Sequence, residues 1–336
     1  MRLQIKEIRV ALPAQIIGND EIATREPNWD MTRVQQKTGV RSRHFARDGE
    51  TAYDLALTAC RELLAQNSGL TDKIDAVIFC TQSPDYIMPP NACLLHKELD
   101  LKDQVAAFDF NLACSGFPYG LAIADGFLKA KTARHILLVT ADTYSKFISP
   151  QDRSVYSLFG DGAAVTWLTE SSDERGLIDL SLATFGRDYP SFMIEAGGCR
   201  LPRSEKTAEL KSDIAGNRRS QNHIAMKGQA VLDFVKSKVP AQVDELLLRN
   251  GLKLSDIDLV IPHQASATAL DELRMHLKLP AERFFQNLGL VGNTVSASIP
   301  IALKEALEGG RIKTGHTVLL IGFGVGLSYA SAILKY

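Results

Sequence analysis

The order of elements along this chain repeats, and that repetition limits its possible folds more than any other feature. Asp75-Ala-Val-Ile-Phe-Cys-Thr-Gln-Ser83 shares its pattern with Asp258-Leu-Val-Ile-Pro-His-Gln-Ala-Ser266, allowing one residue of slack. Cys114, a helix and then Ile136-Leu-Leu-Val-Thr140 recur as Asn293, a helix and then Val318-Leu-Leu-Ile-Gly322. Every strand–helix–strand unit has this kind of hydrophobic pattern. It is the repeated order that argues for a duplicated α/β unit, with halves at residues 1–170 and 171–336. Each half is expected to be a βαβ-rich layer whose strands are buried on both faces.

Periodicity places the elements. Met1 to Arg9 alternates like a first strand, and Asn28 to Gly39 reads as a short helix stopped by glycine. An amphipathic helix is expected over Thr51–Gln66, strands over Ile74–Cys80 and Ala133–Ala141, and a buried strand over Val105–Phe110. Phe159 to Trp167 reads as a tight turn feeding a strand. Residues 171–225 are the least regular, with Gly197-Gly198 and Pro202 marking loops or an insertion. A helix from Lys227 to Asn250 should break near Pro240. Beyond it come a strand to Pro262, a helix over 266–278, a short strand at Arg283–Asn287, a helix over 294–308 and two closing strands.

Composition narrows the class. Hydrophobic residues make up 45% and charged ones 23% of 336 residues, as in soluble globular enzymes with a sizeable core. A net charge of -1 gives no global basic field for nucleic acid or an anionic membrane. No apolar run reaches the length of a membrane span, and the N-terminus lacks the apolar core of a signal peptide. Cys60, Cys80, Cys93, Cys114 and Cys199 are scattered, without a CxxC pair. That argues against a disulfide framework or a zinc site and for a reducing cytoplasm.

Cys114 stands out. In Phe108-Asp-Phe-Asn-Leu-Ala-Cys-Ser-Gly-Phe117 it joins an apolar strand to a helix carrying Phe117, Leu121, Ala124 and Leu128 at helical spacing. There, unpaired N–H groups and the positive end of the helix dipole favour a thiolate. Ser115 and Gly116 are small enough to admit a substrate. A small buried hydrophobe also suits the position. If the halves pack as pseudo-symmetric partners, equivalent strand ends meet and bring Cys114, His263 and Asn293 together. His263 follows a strand and precedes a helix; Asn293 lies in Gly292-Asn-Thr, where a plain N-cap is the simpler role.

These segments, with Ile261-Pro-His-Gln-Ala265, Gly39-Val-Arg-Ser-Arg-His44, Asp152-Arg153, Phe159-Gly-Asp-Gly-Ala163 and Gly322-Phe-Gly-Val-Gly326, resemble the β-ketoacyl-ACP synthase III group. That group belongs to the condensing enzymes of the thiolase-like fold, and the resemblance spans essentially the whole chain. It implies a duplicated, five-layered αβαβα architecture and a Cys114-His263-Asn293 triad. Cys114 would take an acyl group from an acyl-CoA. A malonyl thioester, on acyl carrier protein or another carrier, would then lose CO₂, with His263 and Asn293 stabilising the enolate. The N–H groups of Cys114 and Val325 would hold the oxyanion, and Phe323 would shield the cysteine. No metal or redox cofactor is implied, CoA entering only as substrate thioester.

Other positions follow from the same resemblance. Arg33 falls where the family has an adenine-stacking tryptophan, Lys37 replaces an arginine near it, and Arg153 keeps the other flanking arginine. Trp29, one turn from Arg33, could take over the stacking. Gly228 and Met88 also fall at substrate-binding positions. Met88 lies in Tyr86-Ile-Met-Pro-Pro90, a loop that in family homodimers reaches the partner's acyl pocket. Basic contacts for the carrier protein fall at Thr268, at Asp233, and near Asp271 and Glu272, where an acidic carrier would be repelled. Two rival readings are acyl transfer from Cys114 to an oxygen or nitrogen acceptor, and a non-catalytic partner subunit of a condensing complex.

Overall fold

A computed structural model describes residues 2–336; Met1, where the expected first strand begins, lies outside the described residues. Among the described residues, two large sheets carry the fold. The first holds β1 (Leu3–Ala11), β2 (Ala76–Cys80), β3 (Ala106–Phe110), β4 (His135–Asp142) and β5 (Gly162–Glu170), in the order β1-β5-β4-β2-β3. The second holds β6 (Gly176–Thr184), β7 (Leu259–Pro262), β8 (Thr317–Gly324) and β9 (Ser328–Lys335), in the order β6-β9-β8-β7. Directions correspond strand for strand. Pairs β1/β5 and β6/β9 are antiparallel, as are β5/β4 and β9/β8, while β4/β2 and β8/β7 are parallel.

Among the described residues, nine helices order the layers: α1 (Met31–Thr38), α2 (Ala52–Gln66), α3 (Asn91–Glu98), α4 (Gly116–Lys129), α5 (Arg153–Tyr156), α6 (Gly228–Ser237), α7 (Val239–Arg249), α8 (Ala267–His276) and α9 (Ser298–Glu308), apart from short ones at 19–25, 205–208 and 288–291. α2 and α3 cover the outer face of the first sheet, and α6, α7 and α8 cover the second. α4 and α9 lie between, each touching strands of both sheets. Leu121, Leu128, Ile299 and Leu303 of these helices share one core with Ile78, Leu138, Ile261 and Leu320 of the two sheets. The result is the five-layered αβαβα arrangement. Because helices cover both faces, β2 (Ala-Val-Ile-Phe-Cys) and β8 are buried along their whole length. No helix among the described residues is long and apolar enough to cross a membrane.

Local signals explain the boundaries. Thr51 and Asp54 form a reciprocal capping box at the start of α2. α6 and α7 are separated at Lys238, so the expected break falls two residues before Pro240, which sits in the first turn of α7 where its missing N–H costs nothing.

Three expectations need correction. The strand at 105–110 is not buried: β3 is an edge strand, exposed or half-exposed over Ala106–Phe110, because nothing pairs with its outer side. Residues 171–225 open with a regular strand, β6, whose half-buried edge position blurred its alternation. The strand expected at 283–287 shrinks to a 3-10 turn, Ala281–Arg283, and one parallel bridge, Val260 to Phe284. There Arg283 spends its guanidinium on the carbonyls of Leu254 and Ile257, which pins the chain in a turn.

The start of α4 shows how tightly the layers meet. A Cβ on Gly116 would stand 2.3 Å from Cys80 Sγ. Gly116→Ala is therefore expected to lower stability by about 1–3 kcal/mol through overpacking. Cys80→Ala in the same chain should recover part of that loss. Thermal melts of the two single variants and the double variant test the contact; additive losses would show that it does not matter.

Candidate active site

Cys114 is buried in the turn that leads into α4. Burial, reinforced by the nearby Asp142 carboxylate, pushes its thiol well above the ordinary range, and a backbone hydrogen bond offsets only part of this. The direction of this shift favours the protonated thiol over a resting thiolate. The small residues beside Cys114 face inward. Gly116 packs on Cys80, and Ser115 Oγ lies 2.7 Å from Ser328 Oγ. Closeness to the sulfur is instead a demand on β8. A Cβ on Gly324 would lie 2.8 Å from Cys114 Cβ and 3.0 Å from its Sγ, so glycine lets this strand pass beside the thiol.

His263 stands just past the end of β7, held by its N–H to the Ile321 carbonyl at 2.7 Å. Its Nδ1 meets Ser298 Oγ of α9 at 2.6 Å, and the Phe323 ring lies edge-on, with centroids 5.5 Å apart. Burial lowers its pKa to about 3, so the imidazole is neutral at physiological pH. Asn293 N–H donates to the Leu158 carbonyl at 3.0 Å, and the Asn293 carbonyl accepts from Gly160 N–H at 2.9 Å. Its side-chain Oδ1 accepts the Val295 N–H at 3.0 Å, which turns the amide NH₂ away from the turn and toward Ala265.

Two buried charged groups brace these turns. Asp142 Oδ1 accepts from Gln82 N–H at 2.7 Å, while Oδ2 accepts from the N–H and hydroxyl of Ser296. Burial outweighs those bonds and raises its pKa to about 7. Arg43, fully buried, donates to the carbonyls of Ile17 and Ser157 and to Asn19 Oδ1. It thereby holds the 157–160 segment against which Asn293 is bridged.

Cys114, His263, Asn293, Phe323 and Gly324 line the buried end of one cavity of about 480 Å³, and Phe159, Phe192, Met226 and Leu232 form apolar walls. Lys37, Arg153, Gly228 and Thr268 line its outer part. Sequence reasoning did not find Gly324, Ser298 or the apolar wall residues. A glycine reveals its role only once its neighbour across the fold is known. Arg33 does not line the cavity: it is exposed on α1, and its N–H joins the Asp30 cap. Trp29 packs edge-on against Tyr156 and is likewise absent from the lining. Val325 follows Gly324 and its carbonyl accepts from Ser328 Oγ. Met88 does not line the cavity and is exposed, as is Ile87 at 96%.

The raised thiol pKa has a measurable sign. Cys93 and Cys199 are exposed, and Cys114 is buried. With iodoacetamide near pH 7.5, peptide mapping should show Cys93 and Cys199 modified first. Cys114 labelling should rise with pH beyond the range of a free thiol. Preferential labelling of Cys114 at neutral pH would contradict this electrostatic picture.

Comparison with known proteins follows the same lines. Residues 108–186 match the family described as 3-oxoacyl-[acyl-carrier-protein (ACP)] synthase III, and residues 247–336 match its C-terminal part. The chain is 35% identical to a β-ketoacyl-[acyl-carrier-protein] synthase III of Fusobacterium nucleatum, over 99% of this chain and 98% of that one. It is 38% identical to the protein of that name from Methylococcus capsulatus, over 97% and 96% of the two chains. A crystal structure of a 3-oxoacyl-(acyl-carrier-protein) synthase III superposes with a TM-score of 0.97 at 39% identity, covering 100% of both chains. With this agreement running over essentially the whole length of the chain, the chain belongs to the 3-oxoacyl-[acyl-carrier-protein] synthase III family of condensing enzymes.

Proposed function

We propose that this enzyme loads an acyl group from an acyl-CoA onto Cys114 and condenses it with a malonyl thioester to give a 3-oxoacyl product. The observation that carries this reading is the single cavity joining Cys114, His263 and Asn293 to a surface end with Lys37 and Arg153. In the first half-reaction the Cys114 sulfur attacks the thioester carbonyl. The bond from that carbonyl to the CoA sulfur breaks, and CoA leaves with the proton that Cys114 gives up. In the second, the carboxylate of the malonyl group departs as CO₂, and its bonding pair becomes an enolate. The enolate carbon attacks the acyl carbonyl, the bond to Cys114 breaks, and the thiolate is reprotonated. These bond changes ask for no metal or redox group.

The neutral His263 suits the second step. With Ser298 donating to Nδ1, the proton stays on Nε2, which joins Asn293 Nδ2 as the pair of donors for the enolate oxygen. Backbone N–H groups of Cys114 and Val325 serve the acyl oxyanion, and Phe323 walls off the sulfur. The matching strand order supports reading residues 1–170 as the nucleophile-bearing half of a duplication and 171–336 as the half bearing His263 and Asn293. Five free cysteines suit a reducing cytoplasm. Asp233 and Asp271 are exposed, and Glu272 is already paired with Lys236 at 3.6 Å. This surface favours a CoA-bound extender or a non-standard carrier over a strongly acidic one.

Intact-mass measurements with an acyl-CoA panel should therefore show one added acyl group, mapped to Cys114 and absent in Cys114→Ala. His263→Ala and Asn293→Ala should still load, but lose condensation by on the order of 100-fold or more. Running the assay with malonyl-CoA and with malonyl-ACP reads the carrier preference. Loading on another cysteine, or full condensation in both variants, would overturn the reading.

A homodimer completes this proposal. The outer edge of β3 is unpaired, Phe108 and Phe110 on it are only half-buried, and the Tyr86–Met88 loop projects apolar side chains. Pro84, Pro89 and Pro90 stiffen that loop, which lowers the ordering cost of presenting it to a second copy. With Met88 lining the partner's acyl pocket, Met88→Phe should narrow primer selectivity toward short chains, and Met88→Ala should relax it. Light scattering should give a dimer mass. An active monomer, or unchanged selectivity in both variants, would refute the arrangement.

A further inference from the structure

The outer end of the cavity is built by two separate pieces of chain. One is α5 with its C-cap, from which Arg153, Ser154 and Ser157 contribute to the lining. The other is a small hairpin in which Lys211–Ser212 pairs with Arg218–Arg219. Its turn brings Ala215 and Asn217 to the same cavity and leaves Ile214 fully exposed. Arg218 lays the hairpin strand along the segment that enters α5: its N–H donates to the Gln151 carbonyl at 3.0 Å, and its carbonyl accepts from Ser149 Oγ at 2.6 Å. One buried carboxylate, that of Asp152, adds an ionic link. Asp152 Oδ1 accepts the Ser154 N–H at 3.0 Å and caps α5, while its Oδ2 receives Arg219 Nη1 at 2.7 Å. The same nitrogen reaches Asp213 Oδ2 at 3.2 Å. Asp213 Oδ1 in turn closes the hairpin by accepting the N–H groups of Ala215 and Asn217, both at 2.9 Å.

We propose that Asp152 and Arg219 are positioning residues: their ion pair clasps the hairpin to α5 and sets the spacing of Arg153 and Asn217 across the outer donor site. The proposal rests on the acyl-CoA reading above. The acyl group must reach Cys114 at the buried end, so the nucleotide end of CoA occupies the surface end, between these two walls. A hairpin with two-residue strands has too few bonds of its own to hold its shape. Without the clasp, Arg218 still holds the base of the hairpin to Gln151 and Ser149, but Asp213 and the turn carrying Asn217 lose their link to Asp152. The donor then has to order that turn on binding, and the cost weakens binding of the nucleotide end alone. Such a loss raises KM and leaves kcat unchanged.

The test measures the rate of acyl-Cys114 formation from an acyl-CoA and from the matching S-acyl-N-acetylcysteamine, which lacks the nucleotide. Asp152→Asn keeps an oxygen to cap α5 but turns an NH₂ group toward Arg219; Arg219→Gln breaks the pair from the hairpin side. Both should raise KM for acyl-CoA by on the order of tenfold with kcat nearly unchanged, and leave the short thioester unaffected. Arg219→Lys should restore most of the affinity. The double variant should be no worse than either single one, as expected for residues acting through each other. Equal losses with both donors would reduce the pair to general structural support and overturn the proposal, as would an unchanged KM for acyl-CoA. A wild-type enzyme that loads from the short thioester but not from acyl-CoA, or from neither, would instead overturn the donor reading, and the clasp with it.

Discussion

The whole arrangement depends on how closely the start of α4 approaches β8. A Cβ on Gly322 would lie 2.8 Å from Ser115 Cα and 2.9 Å from the Cys114 carbonyl, and Gly324 is as tight against Cys114 itself. A larger residue at either place would push the central helix away from the second sheet. Cys114 belongs to the first half, and His263, beside β8 through Ile321, belongs to the second. Their separation is therefore set by packing between halves, not by any local turn. The shared core of α4, α9 and both sheets holds that distance, and close-packed interiors do not yield readily to added volume.

Burial that fixes the geometry also fixes the charge states. The thiol of Cys114 is protonated, His263 is neutral, and Asp142 is raised to about 7, all chiefly by desolvation. The two groups nearest the reacting atoms, Cys114 and His263, are thus uncharged at rest. In such surroundings an oriented N–H dipole acts more strongly on a developing negative charge than it does in water. Among the described residues, the lining cations are Lys37 and Arg153, and both lie at the solvent end. Charge is kept for the part of the cavity where water can still solvate it.

Much of this was legible in the residues. The repeated order of apolar segments foretold paired sheets, and the strand-end positions of Cys114, His263 and Asn293 foretold that they would share a cavity. What hid was anything decided by neighbours distant in sequence. The apolar run at 105–110 looks the same whether a strand is central or at an edge, and β3 proved to be the edge. Arg33 sits at helical spacing from Lys37, yet only Lys37 faces the cavity. The helix start at Cys114 was visible, while the burial that raises its thiol was not. Arg43 shows the same limit: nothing local distinguishes it from Arg41, but it is fully buried and ties three segments together.

Asp142 carries one more implication. It sits at the end of β4 in the first half, yet one of its oxygens is satisfied solely by Ser296 of the second. Without Ser296, two of the three donors to this carboxylate would be gone, an expensive state for a buried charge. The Asp142–Ser296 bonds thus stitch the first sheet to the turn that enters α9, and any change that lets those two pieces drift apart would be felt first as an underpaired carboxylate next to the nucleophile.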